Sequence, residues 1–154
     1  MAQIAQKTTS EIVAGYDARP EMLVQILADL VDRFAWIPED AIRQLAQELN
    51  VSRADVHGVV EYYHDFRTSE PGKHIVKICQ AEACQSMGSE KLTAHAEKTL
   101  AMSLHDTEND ISLEPVYCLG NCACSPAVLV NGKVFGRVDE KRFNAIVDDM
   151  RGNG

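Results

Sequence analysis

The chain has 154 residues, of which 45% are hydrophobic and 25% are charged, and these are ordinary values for a folded globular protein. This length suits one domain or two small ones, and it is sufficient to bury a core without disulfide bonds. The formal net charge of -8 disfavours nonspecific binding to nucleic acid. Because the sequence has no apolar run of about 18 residues and no secretory signal, we expect a cytoplasmic protein without membrane insertion.

Charge and cysteine are distributed unevenly along the chain. Residues 1–70 hold 6 basic and 12 acidic side chains, whereas residues 71–154 hold 9 and 11, so the net charges are -6 and -2. All 5 cysteines lie between residues 79 and 124. An odd number of cysteines in a chain that is not exported argues against a disulfide framework. The second half is therefore where we look for chemistry.

The first half is predicted to be helical after a flexible N-terminus over residues 1–10, where no periodic pattern is present. Apolar residues at helical spacing predict helices over Met22–Phe34 and from Pro38 to Leu49. Ser52 and Asp55 resemble a capping box, which predicts the start of a third helix. Residues 11–66 are thus predicted to form a small helical bundle. We place the following apolar and aromatic side chains in its core: Trp36, Val56, Val59, Val60, Tyr62, Tyr63 and Phe66. For the four aromatic residues, an exposed patch that binds a partner is the alternative.

The second half changes to short β-rich runs that are separated by one helical pattern. Two of these predicted strands end directly on a cysteine, and Asn131-Gly132 is a strong hairpin signal between two further strands. The order β-α-β-β-β-α predicts a small α/β domain over residues 67–154. Its predicted elements are strand 74–78, helix 88–101, strand 111–117, strands 127–130 and 134–138, and a last helix capped by Asp139.

The cysteines form two pairs, Cys79-x4-Cys84 and Cys118-x3-Cys122, with 33 residues between the pairs. Each pair begins where a predicted strand ends. If the two strands are neighbours in one sheet, all four sulfur atoms arrive at the same edge. Because soft thiolates are good ligands for zinc and for iron–sulfur clusters, this arrangement predicts a metal site.

The spacing also bears on which metal the site holds. Both pairs are longer than the C-x2-C unit that is typical of structural zinc, although zinc tolerates longer spacing. No histidine lies within two residues of a cysteine, which disfavours a Rieske centre. We therefore favour a [2Fe–2S] cluster with one iron per pair, and keep zinc and structural or redox thiols as alternatives. Cys124 is interpreted as a small buried apolar residue, with replacement of Cys122 as a ligand as the alternative.

These residues resemble a known family. The two cysteine pairs, the segment Cys118-Leu-Gly-Asn-Cys-Ala-Cys-Ser-Pro and the turn Asn131-Gly-Lys-Val-Phe-Gly resemble the thioredoxin-like [2Fe–2S] subunit family, over Met22 to Met150. The resemblance implies an α+β fold, in which a small helical bundle that docks a partner precedes a thioredoxin-like domain carrying the cluster. It also implies four ligands: Cys79, Cys84, Cys118 and Cys122. Two residues depart from the family pattern. Ser125 stands where alanine is common, and Cys124 stands at a position that is usually not cysteine.

Members of this family serve complex I, NAD-linked hydrogenases and NAD-dependent formate dehydrogenases. The sequence of the segment Cys118–Pro126 looks most like the corresponding segment in the gamma subunit of soluble molybdenum-dependent formate dehydrogenases. The resemblance implies a non-catalytic electron-transfer subunit of a hetero-oligomer, with a complex I or hydrogenase subunit as the alternative. A partner would carry FMN, a [4Fe–4S] cluster and the NAD site, and a further formate dehydrogenase subunit would carry the molybdenum cofactor.

Other function classes are less well supported. The segment Ala41–Val56 resembles a helix-turn-helix, but residues 37–70 hold 3 basic and 7 acidic side chains, which disfavours a DNA-binding regulator. A thioredoxin-like redox enzyme would need a C-x-x-C motif, and the chain has none. The 5 histidines are scattered without a companion motif, so we do not predict Cys/His catalysis.

Overall fold

The computed structural model describes residues 2–152, and their side chains from residue 7 onward. Within this range the chain divides into two compact units between Glu70 and Pro71. The helices of the first unit are α1 (Ala2–Gly15), a 3₁₀ turn (Pro20–Met22), α2 (Leu23–Phe34), α3 (Glu39–Glu48) and α4 (Arg53–Tyr62). None of the helices within residues 2–152 is long and apolar enough to cross a membrane.

The core of the first unit is formed by the apolar faces that the periodicity predicts. Ile26, Leu27 and Leu30 of α2 are fully buried, together with Ile42 and Leu45 of α3. Burial of such side chains is worth about 1.5–3 kcal/mol each, which is why short helices become stable once they pack together.

The predicted start of α4 is confirmed in detail. The Asp55 N–H donates to Ser52 Oγ at 3.0 Å, and the Ser52 N–H donates to Asp55 Oδ2 at 3.2 Å. The two side chains therefore satisfy two backbone donors that the first turn leaves free, and this is the reciprocal pattern of a capping box.

The prediction that the four aromatic residues Trp36, Tyr62, Tyr63 and Phe66 lie in the core is wrong for two of them. Tyr62 is 75% exposed and Tyr63 is 41% exposed, while Phe66 and Trp36 are half-buried. Because α4 ends at Tyr62 and Tyr63 is extended, the helical stripe is not continued at this point. The rings pack on one another instead, with centroids 5.1 Å apart for Tyr62–Tyr63 and 5.4 Å for Tyr63–Phe66. Val56 and Val60 are buried as predicted, and Val59 is half-buried.

Helix α1 covers residues 2–10, where a flexible N-terminus is predicted, and residues 11–15, where the predicted bundle begins. Thr9 and Val13, one helical turn apart, are buried, and α1 packs against α3. Ser10 Oγ donates to Glu48 Oε1 at 2.6 Å and accepts from Gln44 Nε2 at 2.8 Å. Contacts with a distant helix thus support α1. The weak local pattern could not indicate this, because Thr9, one of the buried residues of α1, is polar.

The second unit is built on a five-stranded sheet. Its elements are β1 (His74–Cys79), α5 (Glu82–Ser86), α6 (Ser89–Leu100), β2 (Thr107–Glu108), β3 (Ile111–Val116), a 3₁₀ turn (Cys122–Cys124), β4 (Val128–Val130), β5 (Lys133–Phe135) and α7 (Glu140–Gly152). The strand order is β2-β3-β1-β4-β5, in which the pair β1–β3 is parallel and the other neighbours are antiparallel. The predicted α+β architecture is confirmed, with α5 and β2 as additions too short to show a period.

Helices α6 and α7 share one apolar core with the sheet. Leu92 and Ala96 of α6 and Phe143 and Val147 of α7 are buried against strand residues such as Ile78. This core holds the central parallel strands in place. The ends of β1 and β3, where the cysteine loops begin, are therefore positioned by the packed part of the unit.

Candidate metal centre

The two cysteine loops leave the sheet at the same level. In the parallel ladder, Cys79 at the end of β1 is the register partner of Val116 at the end of β3. The Gln80 N–H donates to the Val116 carbonyl at 2.8 Å, so the pairing continues for one more residue. Cys118 follows only two residues after Val116. The expectation that both cysteine pairs start from one sheet edge is thus met by the topology.

Cys79 lies inside the protein, 2% exposed, in a small apolar group with Cys84 and Ala127. Its N–H donates to the Ala127 carbonyl at 3.0 Å, which ties the end of β1 to the start of β4. Burial raises the pKa of the Cys79 thiol, and hydrogen bonds from the backbone of Ala81 and Leu119 to its sulfur oppose this effect. Backbone donors directed at a sulfur stabilise negative charge on it, as iron–sulfur sites require.

Cys84 is also 2% exposed, and the short helix α5 brings it back towards Cys79. The Cys84 N–H donates to the Ala81 carbonyl at 2.8 Å, which closes this turn. Burial acts to raise the pKa of Cys84. Hydrogen bonds with the Ser125 hydroxyl, with Cys79 and with the Ala127 backbone outweigh burial and lower this pKa. The first cysteine pair is therefore buried, mutually hydrogen-bonded and surrounded by donors.

Cys118 and Cys122 are exposed, in contrast to the first pair. The Gly120 N–H donates to Cys118 Sγ at 3.3 Å, and Gly120 has a φ of +68°, which glycine adopts without strain. Cys122 begins the 3₁₀ turn that ends at Cys124. Cys124 is half-buried rather than fully buried, so the prediction of a small buried residue is met only in part.

The four thiols do not form a closed ligand set in this structure. Within the described part of the chain, no three His, Cys, Asp or Glu side chains stand close enough to hold a metal ion together. The structure brings Cys79 and Cys84 together and leaves Cys118 and Cys122 exposed on the loop after β3. The donor set nevertheless fits a [2Fe–2S] cluster: four soft thiols come in two pairs, with backbone N–H groups directed at three of the sulfurs. The assignment of the four ligands stays a prediction.

Gly136 supports the second cysteine loop, and sequence reasoning did not single it out for this role. A Cβ atom added to Gly136 would stand 2.6 Å from Cys124 Cβ and 2.7 Å from Asn121 Nδ2. The next residue holds the same loop, because the Arg137 N–H donates to the Cys124 carbonyl at 2.6 Å. A glycine inside the predicted strand 134–138 was the only signal in the sequence for this close approach.

Gln80 and Gln85 support the first loop and were also missed. Gln80 Nε2 donates to Thr93 Oγ1 at 2.9 Å, which links the loop to α6. Gln85 Nε2 donates to the Gln80 carbonyl at 2.8 Å across the turn. No sequence motif marks such side-chain bonds, since their partners are defined only by the fold.

Ser125 lies between the two cysteine pairs. It is 8% exposed, its Oγ is 3.5 Å from Cys84 Sγ, and it donates to the Cys122 carbonyl at 2.8 Å. A groove of about 1060 Å³ runs past this loop between the starts of α6 and α7. Met87, which lines the groove, is 63% exposed, and Tyr117 beside Cys118 is 58% exposed. Apolar surface is therefore available next to the exposed cysteines.

Known protein families provide an independent comparison. The family described as thioredoxin-like [2Fe-2S] ferredoxin matches residues 9–151. A subunit of the NADH-quinone oxidoreductase of Buchnera aphidicola is 30% identical over 131 residues, which cover 84% of this chain and 77% of the relative. The HndA subunit of the NADP-reducing hydrogenase of Solidesulfovibrio fructosivorans is 29% identical over 151 residues, 95% of this chain and 88% of the relative.

A solved structure of an NAD+-reducing [NiFe]-hydrogenase in the air-oxidised state aligns with a TM-score of 0.70 and 19% identity. The alignment covers 86% of this chain but only 23% of that hydrogenase chain. At this identity the likeness shows the fold alone. Together with the family match, it confirms the predicted fold, in which helices precede a thioredoxin-like [2Fe–2S] ferredoxin domain.

Proposed function

The chain belongs to the thioredoxin-like [2Fe–2S] ferredoxin family, and from this premise we propose that it is the electron-transfer subunit of an NAD(P)-linked oxidoreductase complex. The family implies one [2Fe–2S] cluster. The observation that carries the proposal is the pairing of β1 with β3 in parallel, because one cysteine pair begins at the end of β1 and the other begins two residues after the end of β3, at the same sheet edge. The chain itself would carry no catalytic residue.

The proposed ligands are Cys79, Cys84, Cys118 and Cys122. When bound, the cluster accepts and returns one electron at a time, whereas hydride chemistry at a flavin moves two. We assign different roles to the two cysteine pairs. The buried pair and its backbone donors stabilise negative charge on sulfur, and the exposed pair places the site within reach of a partner.

The parent complex is the finer part of the proposal. The two relatives described above belong by name to an NADH-quinone oxidoreductase and to an NADP-reducing hydrogenase, and they favour those complexes over formate dehydrogenase. The partner would then carry FMN, a [4Fe–4S] cluster and the NAD(P) site. The sequence of the segment Cys118–Pro126 supports a formate dehydrogenase subunit as a second candidate. In that complex, a further partner would carry a molybdenum cofactor.

We also propose that the helical unit docks the flavin-bearing partner. The observation that supports this docking role is the pair Tyr62 and Tyr63. Their apolar rings pack on each other and are nevertheless exposed. Exposed tyrosines of this kind are enriched in protein interfaces. Because the first 70 residues carry a negative net charge, the partner surface that fits them is basic or neutral.

The first experiment is metal analysis of the anaerobically purified chain. We expect about two irons and two acid-labile sulfides per chain, and an S = 1/2 EPR signal after reduction with dithionite. Zinc without labile sulfide would contradict the electron-transfer proposal. The second experiment captures the tagged chain from its native host. FMN with nickel would assign a hydrogenase, FMN with molybdenum a formate dehydrogenase, and FMN with NADH:quinone activity complex I.

A further inference from the structure

Ser125 is the polar side chain that connects the two cysteine pairs. Its hydroxyl donates to the Cys122 carbonyl at 2.8 Å, and the Cys84 thiol donates to the same hydroxyl oxygen at 3.5 Å. At 8% exposure, Ser125 is shielded from water that could replace either partner. The hydroxyl therefore has two possible acceptors and a single proton to donate.

Ligation changes which of the two acceptors is stronger. A metal-bound cysteine has lost its proton, so Cys84 Sγ can then only accept a hydrogen bond. Hydrogen bonds to an ionised acceptor are roughly twice as strong as neutral ones. If the hydroxyl rotates away, the Cys122 carbonyl keeps a hydrogen bond, because it also accepts from the Ser125 N–H at 3.3 Å. Rotation of the Ser125 hydroxyl towards Cys84 Sγ consequently leaves no buried group unpaired.

We propose that the Ser125 hydroxyl sets the reduction potential of the cluster by donating a hydrogen bond to Cys84 Sγ. The inference rests on the proposed function, and it assigns Ser125 a role beyond ligation. Reduction adds negative charge to the sulfur ligands, so a donor to one of them stabilises the reduced state more than the oxidised state. The hydroxyl supplements the Ala127 backbone donor at the same sulfur.

The test is redox titration of the purified chain followed by EPR, with Ser125→Ala compared to the wild type. Alanine is common at this position in the family that the sequence resembles, so the variant keeps an acceptable side chain. We expect about twofold to tenfold weaker affinity for the electron, which lowers the one-electron midpoint potential by about 20 to 60 mV. Ser125→Thr retains the hydroxyl and serves as the matched control, with a potential close to that of the wild type.

Iron and sulfide contents separate this inference from the proposed function. A wild-type chain without a [2Fe–2S] cluster would remove both. Full iron and sulfide in Ser125→Ala with an unchanged or raised potential would overturn the inference alone. If Ser125→Ala fails to assemble a cluster, Ser125→Gly removes the same hydroxyl and is measured instead. Loss of the cluster in both variants would show that Ser125 is needed for the structure of its loop, and this result would also overturn the inference.

Discussion

Cys79 and Val116 are register partners at the ends of two parallel strands, so both cysteine loops leave the sheet at one level. In a parallel pair the carboxyl ends of both strands lie at the same edge. The connection between these strands includes α6, which covers the sheet as crossover helices do. The topology thus brings together two loops that are 33 residues apart in the sequence.

Replacement of a proposed ligand tests the site directly. We expect Cys79→Ser, Cys84→Ser, Cys118→Ser and Cys122→Ser each to lose most of the bound iron, because a hydroxyl is a poor substitute for a thiolate. The measurement is iron and sulfide content with EPR of the reduced sample. Cys124→Ser is the matched control and should retain the cluster. Retention in Cys122→Ser with loss in Cys124→Ser would transfer the ligand role to Cys124.

Gly136→Ala tests whether the segment after β5 holds the second cysteine loop. The added Cβ would stand 2.6 Å from Cys124 Cβ and 2.9 Å from the Cys124 carbonyl oxygen, so the loop must move. Overpacking of this kind costs about 1–3 kcal/mol. We expect urea denaturation to give a correspondingly smaller free energy of unfolding, accompanied by weaker iron binding.

The control for Gly136→Ala is Gly58→Ala. Gly58 lies inside α4, and apart from its chain neighbours and the backbone of its own helix, no atom stands within 4 Å of its added Cβ. Alanine there should stabilise the protein by about 0.5–1 kcal/mol, because it restricts the unfolded chain and favours the helix. Equal effects of the two substitutions would contradict the close approach at Gly136.

Most of the secondary structure could be predicted because it depends on local patterns. The stripe of Ile26, Leu27 and Leu30 has helical spacing, and the Asn131-Gly132 hairpin has a specific turn chemistry. The exposure of Tyr62 and Tyr63 could not be predicted in this way. A stripe shows that a face is apolar, but it does not show where the covering element ends.

The candidate site was predictable to a similar extent. Cysteine spacing after two strands indicates a metal site, and the parallel pairing of β1 and β3 supports it. The supporting contacts of Gly136 and Gln80 could not be predicted, because their partners are distant in the sequence. The burial of Cys79 and Cys84 against the exposure of Cys118 and Cys122 likewise depends on how the loops pack.

Tyr16 predicts a specific dependence of stability on pH. Its hydroxyl donates to Asp29 Oδ2 at 2.8 Å, and this hydrogen bond raises the pKa of Tyr16 above its ordinary value near 10. A raised folded-state pKa adds stability that is fully present below the unfolded-state pKa and is lost as pH rises through the folded-state pKa. We expect Tyr16→Phe to be less stable than the wild type at about pH 8, with a smaller difference at about pH 11.

Tyrosinate absorbance checks the Tyr16 assignment independently of unfolding. The chain has 4 tyrosines, and the raised pKa of Tyr16 should give a late phase in the alkaline titration. Tyr16→Phe should remove this late phase, and Asp29→Asn should shift it to lower pH because the carboxylate charge is gone. If the late phase persists in Tyr16→Phe, it belongs to another tyrosine.

The exposed aromatic pair predicts the docking face of the helical unit. We expect the double variant Tyr62→Ser, Tyr63→Ser to lose most of the proposed FMN-containing partner in co-purification, because truncation of buried interface tyrosines costs about 2 kcal/mol or more. Its iron and sulfide content should stay at the wild-type level, since both residues lie in the unit without cysteines. Val134→Ser removes an exposed apolar side chain of the other unit and serves as the control, which should retain the partner. Full partner recovery with the double variant would place the docking face elsewhere on the chain.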